Sequence, residues 1–196
     1  MTFNERRATS GCFRPGILLL TITSIICGCT TPPPPQPFDA EQIRDSGGVA
    51  YLWTAGMATQ PTFSMKDYAV VISIDGRALP PEHRPSAGTE PVIAWRIEVP
   101  AGRHVVQVLD KETKFVFFSF YLSGKQLVVE HETRVVEFTA EAGRAYVPLA
   151  GDKCGRKWIW IADEGPVAPE GPNTRTLAFS AGLPTVGGES PPEDSC

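Results

Sequence analysis

The sequence predicts an all-β fold, a single β-sandwich of about seven to nine mainly antiparallel strands. Three observations predict it. Short runs rich in Val, Ile, Phe and Trp recur between Val49 and Ala162. Turn residues, chiefly Asp-Gly, Pro-x-Gly and Ala-Gly, separate those runs. No segment reads as a long helix.

The elements follow in chain order. Asp39 can cap a short helical turn over Phe38–Arg44, which Gly47-Gly48 would end. Val49–Trp53 is a short apolar strand. Tyr68–Ile74 is β-branched and stops at Asp75-Gly76, a turn pair. Arg77–Pro91 holds four prolines and reads as a loop. Ile93–Val99 alternates, with Trp95, Ile97 and Val99 on one face and Arg96 and Glu98 on the other. Pro100-Ala101-Gly102 turns the chain into a partner strand, His104–Leu109. Phe115–Leu122 is almost wholly apolar, which places it as a central strand or against another surface. Ser123-Gly124 marks a turn, and Leu127–Glu130 and Arg134–Thr139 are further strands. Ala142-Gly143 turns into Ala145–Leu149. Lys157–Ala162 is the last strand, with Trp158 and Trp160 opposite Ile159 and Ile161. Residues 164–196 are rich in Pro, Gly, Ser and Glu and are expected to form a disordered tail.

The N-terminus carries a different signal. Arg6, Arg7 and Arg14 form a basic start, and Ile17–Ile26 is ten residues without a charge. A spanning helix needs about twenty apolar residues, so this run suits a cleaved signal peptide. Ile26-Cys27-Gly28-Cys29 resembles a lipobox: an aliphatic residue, two small ones, then the cysteine that takes the lipid. Gly28 lets a protease approach the backbone, so cleavage is expected between Gly28 and Cys29, with Cys29 lipidated. Two or three acyl chains anchor stably where one does not. Thr30 resembles the residue found after the cysteine in outer-membrane lipoproteins. Prolines at 32–35 and 37 make a stiff tether between anchor and domain. The expected organisation is signal peptide 1–28, lipidated cysteine and tether 29–47, β-sandwich 48–163 and tail 164–196.

The leader removes three of the 18 basic and one of the 22 acidic residues, leaving a mature formal charge of −6. That charge, with no basic stripe, argues against a nucleic-acid partner. Of five cysteines, Cys12 and Cys27 leave with the leader and Cys29 is acylated. Cys154 and Cys196 are either a disulfide or two free thiols. A bridge would close a loop of about 42 residues, worth at most roughly 4 kcal/mol. No histidine lies where a zinc site would need it, so no metal or other cofactor is expected. His83 lies in the proline loop, His104 follows a turn, and His131 lacks the second histidine of a metalloprotease helix. There is no Gly-x-Ser-x-Gly elbow and no phosphate-binding glycine loop. The chain is therefore expected not to be an enzyme. Trp95, Trp158 and Trp160 can fill a core or line a glycan platform, and the strand pattern favours the core.

Two stretches resemble a known family. Val71-Ile72-Ser73-Ile74-Asp75-Gly76, followed by Ile97–Val108 with its Pro100-Ala101-Gly102-Arg103-His104 hairpin, is similar to PEGA-type β-sandwich domains. Phe138–Tyr146 resembles the Glu-x-Gly-x-x-Tyr hairpin of small uncharacterised bacterial lipoproteins. The resemblance implies a β-sandwich and no catalytic residues. The expectation is a lipoprotein of the bacterial envelope, held at the outer membrane, with the inner membrane as the alternative, and facing the periplasm, with envelope proteins as partners. The alternative is a glycan- or peptidoglycan-binding module that uses exposed tryptophans.

Overall fold

A computed structural model describes residues 37–58, 65–84, 92–118, 123–153, 155–177, 180 and 182–191. Asp39 caps α1 (Ala40–Asp45): its side chain accepts from Gln42 N at 2.8 Å, and Gln42 Oε1 accepts from Asp39 N at 3.3 Å. This reciprocal box satisfies two helix-end donors and fixes where the helix starts. Next come β1 (Val49–Trp53), β2 (Ala55–Gly56), β3 (Met65–Ile74), β4 (Arg77–Ala78) and a 3-10 turn at Pro81–His83. β5 (Ile93–Pro100), β6 (Gly102–Phe118), β7 (Ser123–Ala140), β8 (Arg144–Lys153) and β9 (Arg156–Pro166) follow. β10 (Thr174–Thr176) and β11 (Thr185–Gly188) complete the sheet.

The fold is all-β and mainly antiparallel, as expected, with eleven strands among the described residues joined by one set of pairings. The order runs β10-β5-β1-β8-β9-β11-β7-β6-β3-β2, and β4 pairs with β3. Only Thr54 separates β1 from β2, so the two are one run of chain. The path therefore returns to its start: β1 pairs with β8 in parallel, while β2 pairs with β3. Thr54 makes the switch. Its N–H donates to Trp95 O and its carbonyl accepts from Val71 N, both at 2.8 Å.

Alternation along the strands builds two cores. Leu52, Val71, Ile97, Val106, Phe138, Tyr146, Ile159 and Ile161 are among the residues of the first. Trp53, Tyr68, Val70, Val147, Leu149 and Trp160 are among those of the second. β3, β8 and β9 are thus buried on both faces. The opposed placement of Ile159/Ile161 and Trp158/Trp160 follows the period-two reading.

The segment after 163 differs from its expected disorder. β10 adds to β5, β11 lies between β9 and β7, and Leu177 and Leu183 pack on the second core. A tail rich in Gly and Pro reads as unstructured because such composition buries little apolar area. Here glycine serves close approach instead. A Cβ on Gly187 would sit 2.3 Å from Glu137 O, and one on Gly188 would sit 2.7 Å from Ile159 O. Only glycine lets β11 fit that slot.

The Phe115 run continues β6, and its expected place as a central strand or against another surface rests on residues outside those described. The described part of β3 accompanies β6 as far as the Met65–Lys114 pair. Beyond it, Phe115–Phe118 pair with Gln126–Ser123 of β7 and with no other strand among the described residues. Leu127–Glu130 and Arg134–Thr139 are parts of one strand, and Ser123-Gly124 opens that strand rather than forming its turn. β6 and β7 thus form one long hairpin, and Phe115–Phe118 with Ser123–Gln126 make its distal arm.

Candidate functional site

Two constellations lie along β6. At its first residues, far from the arm, the residues that carry the family resemblance meet. Asp75 and Gly76 take φ of 48° and 75°, the positive pair that a tight type I′ hairpin turn needs. Asp75 Oδ1 accepts from Val105 N at 2.8 Å, and Oδ2 lies 2.8 Å from His104 Nδ1. His104 Nε2 donates to Pro100 O at 2.7 Å. The ring is buried between Phe38 and Phe138, at centroid distances of 5.8 and 5.7 Å. His104 therefore fastens two hairpins together. Tyr146 does similar work in the next turn, where its hydroxyl accepts from Glu141 N at 2.8 Å and its ring packs 5.1 Å from Phe138. These motifs are turn and corner chemistry.

At the base of the arm, β7 carries a bulge. Leu109 faces Thr133 and Lys111 faces Glu130, so two residues of β7 oppose Asp110. Bulges re-aim side chains and sharpen twist. Beside this one lies a buried charge cluster. Lys157 Nζ, on β9, lies 3.5 Å from Asp67 Oδ2, 3.7 Å from Asp110 Oδ2 and 3.9 Å from Asp152 Oδ2. Asp110 is fully buried, and Asp67 and Glu112 nearly so. Burial pulls the Lys157 ammonium down, but Asp110, Asp67, Glu112 and Asp152 outweigh it and hold it above the ordinary lysine value. Lys111 reaches Glu130 across the arm at 2.9 Å. Among the described residues no group of three or more His, Cys, Asp or Glu could hold a metal ion.

The C-terminal segment is pinned by two arginines. Arg96, which alternation places opposite Ile97 and Val99, is 4% exposed. Its guanidinium donates to Pro169 O at 2.8 Å, Gly171 O at 2.7 Å, and Ala168 O and Asn173 Oδ1 at 3.2 Å, and it lies 4.6 Å over the Tyr51 ring. Arg175 bonds Glu164 at 2.7 Å and lies 4.1 Å over Trp53, whose Nε1 donates to Glu164 at 2.8 Å. Between this segment and β8 opens a cleft of about 530 Å³, lined by Leu149, Trp160 and Leu183 with Asp152, Lys153 and Thr185.

The tryptophans do not form one row. Trp160 is buried in the second core, Trp158 is half-buried beneath Arg156 at 4.2 Å, and Trp95 sits on β5, 5.4 Å from the His83 ring. Gly28, Cys29, Cys154 and Cys196 lie outside the described residues. No helix of the described residues is long and apolar enough to cross a membrane. Composition could not single out Arg96, Arg175 or Lys157, since a charged residue on an alternating strand reads as solvated. The run Thr174-Arg175-Thr176-Leu177 was the one trace of β10.

No family model, curated protein or solved structure matches the chain. The PEGA-type resemblance rests on the turn motifs alone.

Proposed function

We propose that this chain is a bacterial lipoprotein whose β-domain makes protein contacts at the envelope, anchored through Cys29 and without catalytic activity. The observation that carries the contact role is the arm. β6 and β7 run 17 and 18 residues, roughly three times the usual strand length, and their last four pairs, Phe115–Phe118 with Gln126–Ser123, have no further strand beside them among the described residues. The Ile26–Cys29 motif and the proline tether support an anchor that holds the body off the bilayer. A second reading is glycan binding. The cleft lined by Leu149, Trp160 and Leu183 together with Asp152, Lys153 and Thr185 supports that reading.

The register supplies a clean test of the contact role. Lys114 faces Leu127, so residues 115–126 can be replaced by a two-residue Asn-Gly turn without shifting any other pair among the described residues. The shortened protein should keep its fold, with a change of about 1 kcal/mol or less and a melting temperature within about 4 °C. Formaldehyde cross-linking in cells should give tagged adducts for the intact protein that are absent for the shortened one. An unchanged adduct pattern would remove the arm from the contact surface.

A further inference from the structure

The outer edge of β7 is open where β11 stops. Val105 gives both backbone groups to Asp75: its N–H to Oδ1, and its carbonyl to Asp75 N, each at 2.8 Å. It therefore faces β3, and its partner Glu137 turns its own N–H and carbonyl away from β6. The same alternation turns Val135 and Thr133 outward. β11 meets β7 only at the Gly187–Phe138 pair. Thr133 and Val135 have no strand partner on that side among the described residues.

A cleft of about 350 Å³ lies along this edge. Arg134 and Val135 line it from β7, Arg156 and Ile159 from β9, and Gly188 and Glu189 close one end. Val135 is 61% exposed, the largest exposure among the large apolar side chains of the described residues. Arg134 pairs with Glu132 and Arg156 with Glu189, each at 2.8 Å and on the surface. Such pairs exchange at little cost. The slot has a strand edge on one wall, β9 on the other and two arginines, on a domain that is acidic overall.

We propose that this slot takes an extended acidic segment of a partner protein. It would add to β7 in line with β11, with its backbone on Thr133 and Val135 and its carboxylates on Arg134 and Arg156. This rests on the contact reading above and names the chemistry of the partner. The segment would alternate, with apolar residues beside Val135 and acidic ones toward the arginines.

The test uses the detergent-purified full mature protein and a labelled eight-residue peptide of alternating Val and Glu, with an alternating Val and Lys peptide for comparison. Fluorescence anisotropy should show saturable binding of the acidic peptide and at least tenfold weaker binding of the basic one. Val135→Pro should abolish binding while the circular dichroism stays unchanged, because the Val135 N–H faces away from β6 and an edge tolerates proline. Arg134→Gln with Arg156→Gln should weaken binding at least severalfold. Should the proline variant unfold, hydrogen exchange on the native protein replaces it, and the Thr133 and Val135 amides should slow when peptide is added. Equal binding of both peptides, no binding up to millimolar concentration, or binding without protection at Thr133 and Val135 overturns the proposal. None of these outcomes alters the cross-linking result for the shortened arm, so the two readings fail separately.

Discussion

Replacing Arg96 with Ala should lower stability by about 3 kcal/mol and free the segment from Ala168 to Asn173. The guanidinium holds three carbonyls and the Asn173 side chain at 2.7 to 3.2 Å, with only 4% of the residue exposed. Hydrogen bonds to a charged group contribute roughly 1.5–3 kcal/mol each. The full sum will not be lost, because a released strap returns its carbonyls to water. Each kcal/mol shifts the melting temperature by about 2–4 °C at this size, so a fall of roughly 6–12 °C is expected. An arginine-specific protease should then cut after Arg175, which the native fold protects through β10 and the Glu164 pair. Arg96→Lys should rescue little, since one ammonium cannot reproduce the planar fork. A variant with native melting temperature and native resistance to cleavage would show that the strap is held elsewhere.

Replacing Lys157 with Met should cost a similar amount, about 3 kcal/mol at neutral pH, because it removes the cation facing Asp67 and the fully buried Asp110. The pH dependence separates this from lost packing. In the native protein the Lys157 value is raised above that of the unfolded chain. Its contribution is therefore complete below the ordinary lysine value of about 10.4 and is lost only as pH rises through the still higher folded value. In the Met variant the deficit comes from buried carboxylates left without their cation, so it should shrink as acid protonates them. Lys157→Arg, which keeps the charge, should stay near native stability. A deficit in Lys157→Met that is constant from neutral to acid pH would assign it to packing rather than charge.

The strands and turns were legible because local chemistry fixes them. Asp39 with Gln42, Asp75-Gly76 and Ala142-Gly143 each set a boundary through bonds that span a few residues. Period-two alternation placed Ile159 and Ile161 against one core and Trp160 against the other. What was not legible depends on partners far along the chain. Arg96 is buried because residues 168–173 wrap it, about 75 positions away. The glycines of β11 read as disorder until β7 and β9 are seen to crowd them. Within the candidate site, His104 and Tyr146 were visible as motif residues, but the Lys157 cluster was not. Its carboxylates come from β3, β6 and β8 and have no shared spacing in sequence.

The most direct test of the central claim, a lipid-anchored β-domain, is metabolic labelling with a clickable fatty-acid analogue in cells that express the chain or its Cys29→Ala variant. The account predicts a labelled, membrane-fractionating native protein and a variant that carries no label and is not processed at Gly28. Label on the Cys29→Ala variant, or none on the native chain, would contradict it.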